Sequence, residues 1–177
     1  MQTFSAKQLR EFSTQVFLPF GIPQSDAELA AEVLSLSDLR GIDSHGVARL
    51  HTYFDMHTLG KINPKSNIKI VQDKKSVCTV DGDNELGLVV GKGVGHFFGD
   101  IQIDGFMEVD EFKKRIDQWI DVFRNPKPAK GTSGVLIPGD PEHAEEAIRR
   151  KNGIPLREAV VNDLKDISKQ TGIPFQN

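Results

Sequence analysis

The sequence predicts an α+β protein, with helices at both ends of the chain and a small antiparallel sheet between them. Three observations carry that prediction. The first 60 residues hold three stretches with apolar residues at helical spacing. Residues 67–83 switch to a two-residue alternation, and from residue 109 onward the helical period returns.

Taken in order, Ser5 and Gln8 have the spacing of a capping box, and Leu9, Phe12 and Val16 follow as the inward stripe of a first helix. The run GIP at 21–23 ends it, since glycine accepts a left-handed cap and proline cannot continue a helix. Ser25 and Glu28 repeat the capping box, and Leu29, Val33, Leu36 and Leu39 carry a second helix as far as Arg40. A third helix is expected from about 45 to 59, stopped by Gly60. Residues 67–83, NIKIVQDKKSVCTVDGD, form two β-branched runs about a turn at 72–75, the pattern of a hairpin. Residues 96–106, HFFGDIQIDGF, predict a third strand whose inner glycine marks a bulge. Residues 109–124 then place Phe112, Ile116, Trp119, Ile120 and Phe123 in one narrow sector, opposite Lys114, Asp117 and Asp121. That stripe needs a surface to pack against. Asp140 is an expected N-cap with Pro141 at the first helical position, opening a helix to about 152. A last helix, near 157–170, is expected to bury Val160, Leu164 and Ile167.

The 177 residues are 38% hydrophobic and 27% charged, enough to bury one core. The 22 basic and 25 acidic residues are mixed along the chain, for a formal net charge of -3. No basic block tracks a phosphate backbone, so nucleic acid is not an expected partner. The lone Cys78 rules out an intramolecular disulfide and suits a reducing compartment. It lies in an apolar run and reads as a buried small hydrophobe. The N-terminus lacks the apolar core of a signal peptide, and no apolar run approaches the ~20 residues that span a bilayer. A cytoplasmic protein with no membrane partner is expected.

The chemistry-bearing stretch is LRGIDSHGVARL, residues 39–50. On the predicted third helix, Val47, Leu50 and Phe54 make the core stripe, while His45 and Arg49 share another face one turn apart, with Tyr53 between the two groups. A helix N-terminus favours anions, an arginine fork beside it matches a carboxylate, and a histidine exchanges a proton near neutral pH. Such a set suits an acidic small molecule undergoing proton transfer. The alternative is that Asp43 or Ser44 simply caps the helix, with His45 and Arg49 solvated. Elsewhere GKGVGHFFG, 91–99, lacks the Lys-Ser/Thr pair of a phosphate loop and reads as a connection, with His96 as a core or edge histidine. DGDNELG, 81–87, has Leu86 and Lys92 where a calcium loop needs glycine and glutamate. His45, His51 and His57 do not share a helical face, so no metal site is expected.

SDLRGIDSHGVARL, 37–50, resembles the ADLRGIDSHG-x-x-R signature of the malate/L-lactate dehydrogenase family, which includes ureidoglycolate and sulfolactate dehydrogenases. The resemblance continues through YFDMHTLGKINP, TVDGDNELGLVVG, GHFFGDIQIDGFMEVDEF, VLIPGDPE and RRKNGIPL. It implies hydride exchange between NAD or NADP and a 2-hydroxy acid. It also implies that Ser44 and His45 lie at the cofactor and substrate cleft as catalytic residues, that Arg49 holds the substrate carboxylate, and that the protein is a homodimer. One departure is large: Val90 runs straight into Gly91, where family members carry a central domain with most of the nucleotide site and an N-x-x-H-F-G histidine. A single domain over 1–177 is therefore expected, a helical domain formed by both ends of the parent chain. Residues 1–90 would supply three helices and a hairpin and residues 91–177 a strand and helices, joined at an internal deletion near 90–91. Alone, such a chain is expected to bind no NAD or NADP and to lack competent hydride transfer. The other expectation is a non-catalytic folding or dimerisation module.

Overall fold

The computed structural model describes residues 1–74, 77–90, 103–132 and 134–175. Among them the chain forms β1 (Gln2–Phe4), α1 (Ala6–Phe17), α2 (Gln24–Leu39), α3 (Leu50–Thr58), β2 (Lys69–Lys74), β3 (Val77–Asp81), α4 (Val109–Arg124), α5 (Asp140–Asn152), β4 (Ile154–Leu156) and α6 (Glu158–Thr171). Short 3₁₀ turns at Leu18–Phe20, Val47–Arg49 and Ile103–Gly105 complete the order. The α+β class is as expected, with two separate two-stranded antiparallel sheets.

Local sequence explains α1 fully. The Gln8 N–H donates to Ser5 Oγ at 3.2 Å and the Ser5 N–H donates to Gln8 Oε1 at 2.9 Å, so the capping box forms as predicted. Leu9, Phe12, Val16 and Phe17 are buried. Helix α2 departs from its prediction. Pro23 stands at its N-cap with no side-chain cap, and Ser25 turns instead to Asp26, so the second capping box is absent. Leu29 is 44% exposed, while Ala27, Ala30, Ala31, Leu34, Ser35, Asp38 and Leu39 are buried. Alanines let the backbones of α1 and α2 approach closely, which moves the bulkier Leu29 to the flank. The same rotation puts an acid, Asp38, on the core face.

Both ends of the chain share that core. Strands β1 and β4 pair antiparallel, Gln2↔Leu156, Thr3↔Pro155 and Phe4↔Ile154, and tie the N-terminus to the α5–α6 connection. Gly153, at φ +84°, ends α5 just before β4 with its Cα facing β1; a Cβ there would lie 2.6 Å from Thr3 Cγ2 and 3.0 Å from the Phe4 carbonyl oxygen. Phe175, beyond α6, stacks on Phe4 with centroids 5.1 Å apart and meets Phe12 at 4.8 Å. Helix α6 buries Val161, Leu164 and Ile167 as its inner stripe, with Val160 only half-buried beside it.

Away from this core the burial thins. The hairpin forms with the register Lys69↔Asp81 to Lys74↔Val77 and a bulge between Ile70 and Gln72, but β2 is exposed along its whole length. Helix α4 has the predicted amphipathic face yet buries none of its residues. The predicted strand at 96–106 lies largely outside the described residues, and its described end, Ile103–Gly105, is a 3₁₀ turn. The glycine run 91–99 with His96, and the Cys78 side chain, also lie outside them. Asp140 is the first residue of α5 rather than its cap. Gly139 takes that place, its N–H donating to Glu142 Oε2 at 3.1 Å. No helix among the described residues is long and apolar enough to cross a membrane.

Candidate active site

The segment 39–50 folds differently from the helix its spacing predicted. His45 lies in a turn, its N–H donating to the Ile42 carbonyl at 2.9 Å, and α3 starts only at Leu50 after the 3₁₀ turn Val47–Arg49. Thus His45 and Arg49 are not one α-helical turn apart. The cause is Asp38. Its carboxyl Oδ2 accepts the Val47 N–H at 2.8 Å, so the favoured anion at the helix start is the protein's own side chain, sent from the preceding helix. Neither Asp43 nor Ser44 caps, as the alternative reading had it. Gly46 makes the arrangement possible: a Cβ at that position would lie 1.8 Å from Asp38 Oδ1.

Within this turn the three predicted residues come together. Ser44 Oγ and His45 Nδ1 are 2.9 Å apart, and Arg49 Nε donates to the Ser44 carbonyl at 2.9 Å. All three side chains are exposed. The serine contact engages one ring nitrogen of His45, and among the described residues no hydrogen bond engages its Nε2 or the terminal guanidinium nitrogens of Arg49. Tyr53, one turn into α3, is half-buried, and that burial raises its hydroxyl pKa, opposed by the nearby Arg49 charge.

Two residues outside the predicted set hold the turn. Arg149 of α5, 8% exposed, donates from Nη1 to the Asp38 carbonyl at 2.6 Å and to Asp43 Oδ1 at 2.5 Å, and from Nε to Glu145 Oε1 at 2.6 Å. Burial alone would lower its pKa, but the bonds to Asp43 and Glu145 more than offset that. Asp38 is fully buried, and burial pushes its carboxyl up to about 7, a rise that the Val47 N–H opposes, Asp43 assists and Arg149 opposes. Asp38 had a sequence signal: it falls on the helical register of Ala27, Ala30, Ala31 and Leu34, where an acid is out of place. Arg149 had none toward this turn, because Asp38 and Asp43 are more than a hundred residues away from it.

A cleft of about 140 Å³ opens beside the turn, with Asp38, Asp43, Ser44 and Ala48 on one side and Leu156 and Arg157 on the other. The acids of 81–87 serve structure instead. Asp83 Oδ2 accepts from Asn63 Nδ2 and from the Asn67 N–H, both at 3.0 Å, which ties that loop to residues 63–67. Among the described residues no group of three or more His, Cys, Asp or Glu side chains could hold a metal ion.

A helical domain of mixed class, carrying a Ser-His-Arg turn beside a small cleft, is what fold and site define. Among solved structures the chain superposes on malate dehydrogenase from Pyrococcus horikoshii OT3 with a TM-score of 0.87 and 17% identity, covering 98% of this chain and 96% of that one. It superposes on sulfolactate dehydrogenase from Methanocaldococcus jannaschii with a TM-score of 0.86 and 18% identity, covering 98% of each chain. Those likenesses speak to the fold. In sequence, the profile of the malate/L-lactate dehydrogenase family matches residues 4–93 and 91–165. The chain belongs to the malate/L-lactate dehydrogenase family. It is 46% identical to the L-sulfolactate dehydrogenase of M. jannaschii over 77 residues, 44% of this chain and 22% of that protein. It is 39% identical to the malate dehydrogenase of P. horikoshii over 84 residues, 48% of this chain and 23% of that protein. The aligned part of this chain thus spans less than a quarter of either relative's length.

Proposed function

We propose that this chain is the substrate-facing helical half of a malate- or lactate-type 2-hydroxy-acid dehydrogenase. It keeps Ser44, His45 and Arg49 but lacks the domain that orients the nicotinamide. The observation that carries this reading is the two-part family match, whose segments meet at 91–93, within the glycine run. Relative length supports it: 84 residues are 23% of the P. horikoshii enzyme, which makes that chain about twice as long as this one. A structural alignment that covers 98% of this chain and 96% of that chain is in keeping with such an internal segment.

Among the described residues, the cleft at the Ser44 turn does not fit a dinucleotide. The cleft beside Ser44 holds about 140 Å³, against roughly 300–1,000 Å³ for pockets that enclose drug-sized ligands. No hydride step is derived for this chain. What its residues can do is narrower: Arg49 binds the carboxylate of a 2-hydroxy or 2-oxo acid, His45 Nε2 exchanges a proton with its oxygen, and Ser44 fixes the histidine tautomer. The lone Cys78 suits a reducing, cytoplasmic setting.

Titration of the purified chain with NADH and NADPH, read by nucleotide fluorescence with and without pyruvate or oxaloacetate, tests this reading. The expected result is no saturable binding and no turnover above a His45→Ala control. Saturable binding that weakens in His45→Ala would overturn the half-site and point to a site completed in another way. A second reading, a folding or homodimerisation module, is favoured by the open apolar stripe of α4, where Trp119 is 59% exposed.

A further inference from the structure

We infer that Asp38 is a positioning residue for the Ser44–His45 turn, holding it through the Val47 amide and the Gly46 backbone in a way that changes with the charge on its carboxyl. This rests on the proposed function only where it gives chemistry to His45; the coupling itself is a property of the fold.

The geometry leaves residues 44–46 strung between two anchors. At one end, Asp43 is held by Arg149 Nη1, the same nitrogen that binds the Asp38 carbonyl. At the other, the Val47 N–H is held by Asp38 Oδ2. Between them the Asp38 carboxyl lies on Gly46, in the space a Cβ would fill, 1.8 Å from Oδ1 and 2.4 Å from Oδ2. Oδ1 is buried and has no hydrogen-bond partner among the described residues. An unpartnered buried oxygen is costly in either charge state, so few other interactions would mask a change in its charge.

The charged groups that face Asp38 come from each neighbouring element. Asp43 lies on the turn, Arg149 on α5 with Glu145 behind it, and Arg157 across the cleft at the start of α6. Burial outweighs the stabilisation that Val47 and Arg149 offer, and the carboxyl titrates at about 7. Ionised, Asp38 gives Val47 a charge-assisted bond; protonated, it gives an ordinary one. The amide of Val47 therefore reports the state of Asp38, and the turn that presents His45 is clamped more firmly as pH rises.

Two-dimensional ¹H–¹⁵N spectra of the full chain across about pH 5 to 9 test this in the wild type, in His45→Ala and in Asp38→Asn. The Val47 amide is expected to move through one step near pH 7, with the same midpoint in His45→Ala, and to stay still in Asp38→Asn. Movement that persists in Asp38→Asn, or that vanishes in His45→Ala, would overturn the inference. Should Asp38→Asn not fold, the ¹³Cγ resonance of Asp38 in the wild type decides: it must share the Val47 midpoint, and a different midpoint overturns the coupling. None of these readouts needs a nucleotide, so they fail or succeed independently of the NADH titration.

Discussion

At Gly46 the absence of one methyl group decides whether the turn can close over Asp38. Alanine there would place its Cβ 1.8 Å from Asp38 Oδ1, so the carboxyl has to leave and take its bond to Val47 with it. Gly46→Ala is expected to cost roughly 2–4 kcal/mol, overpacking together with the loss of a buried charge-assisted bond, read from the urea midpoint. In an Asp38→Ala background the same substitution should cost much less, since the obstacle is gone; equal costs in both backgrounds would refute the contact. Asp38 also makes stability depend on pH. Its carboxyl is raised from 3.8 to about 7, so between those values the folded chain keeps a proton that the unfolded chain releases. Its contribution is therefore fully present below about pH 4 and lost as pH rises through about 7, on the order of a few kcal/mol in all. Wild type should lose urea resistance between about pH 4 and 7 relative to Asp38→Asn, which has no proton to lose there. Parallel pH profiles would remove Asp38 as the cause.

Among the elements, α5 matters to the site more than its distance in sequence suggests. Arg149 bonds the Asp38 carbonyl, Asp43 and Glu145 from one guanidinium. Arg149→Met keeps the volume and removes all three bonds. The expected loss is roughly 2–3 kcal/mol, below the full cost of breaking a buried pair, because Asp43 and Glu145 remain 40% and 38% exposed. Faster amide exchange in residues 43–47 should accompany it, whereas a uniform increase across all helices would mean that Arg149 serves only global stability. The elements also show which parts of the fold were legible. Helix α1 was readable because its cap and stripe are local, three and four residues apart. Helix α2 is legible in its span but not in its inner face, because Ala27, Ala30 and Ala31 share that face with Leu34 and Leu39, and a search for large apolar side chains passes over the alanines. Strands β1 and β4 have three residues each, too few to show alternation, and they exist because the two ends of the chain meet. In the candidate site, Ser44, His45 and Arg49 are close in sequence, and a turn rather than the expected helix brings them together. The way they are held was not legible, because Asp38 and Arg149 act across elements.

For the whole molecule, the exposed apolar face of α4 is the feature that the core does not use. Helix α4 carries Ile116, Trp119, Val122 and Phe123 at 36%, 59%, 69% and 45% exposure, with Trp119 and Phe123 in edge contact at 4.6 Å. A pattern that selective for one face suits packing against another apolar surface. Trp119 is the only tryptophan in the chain, so its fluorescence reports this face alone. In dilute solution its emission should be that of a water-exposed indole, readily quenched by acrylamide. If the chain dimerises through α4, raising the concentration should shift the emission to the blue and protect it from quencher, in step with a monomer–dimer transition in sedimentation. Ile116→Asp, which puts a charge in the middle of the stripe, should abolish both changes while leaving the stability of the α1–α2–α6 core untouched, since α4 buries none of its residues. A chain that sediments as a monomer throughout, with Trp119 open to quencher at every concentration, would rule out dimerisation through this face. The half-site reading would then stand alone, because Ser44, His45 and Arg49 lie on the turn before α3 and depend on Asp38 and Arg149, not on α4.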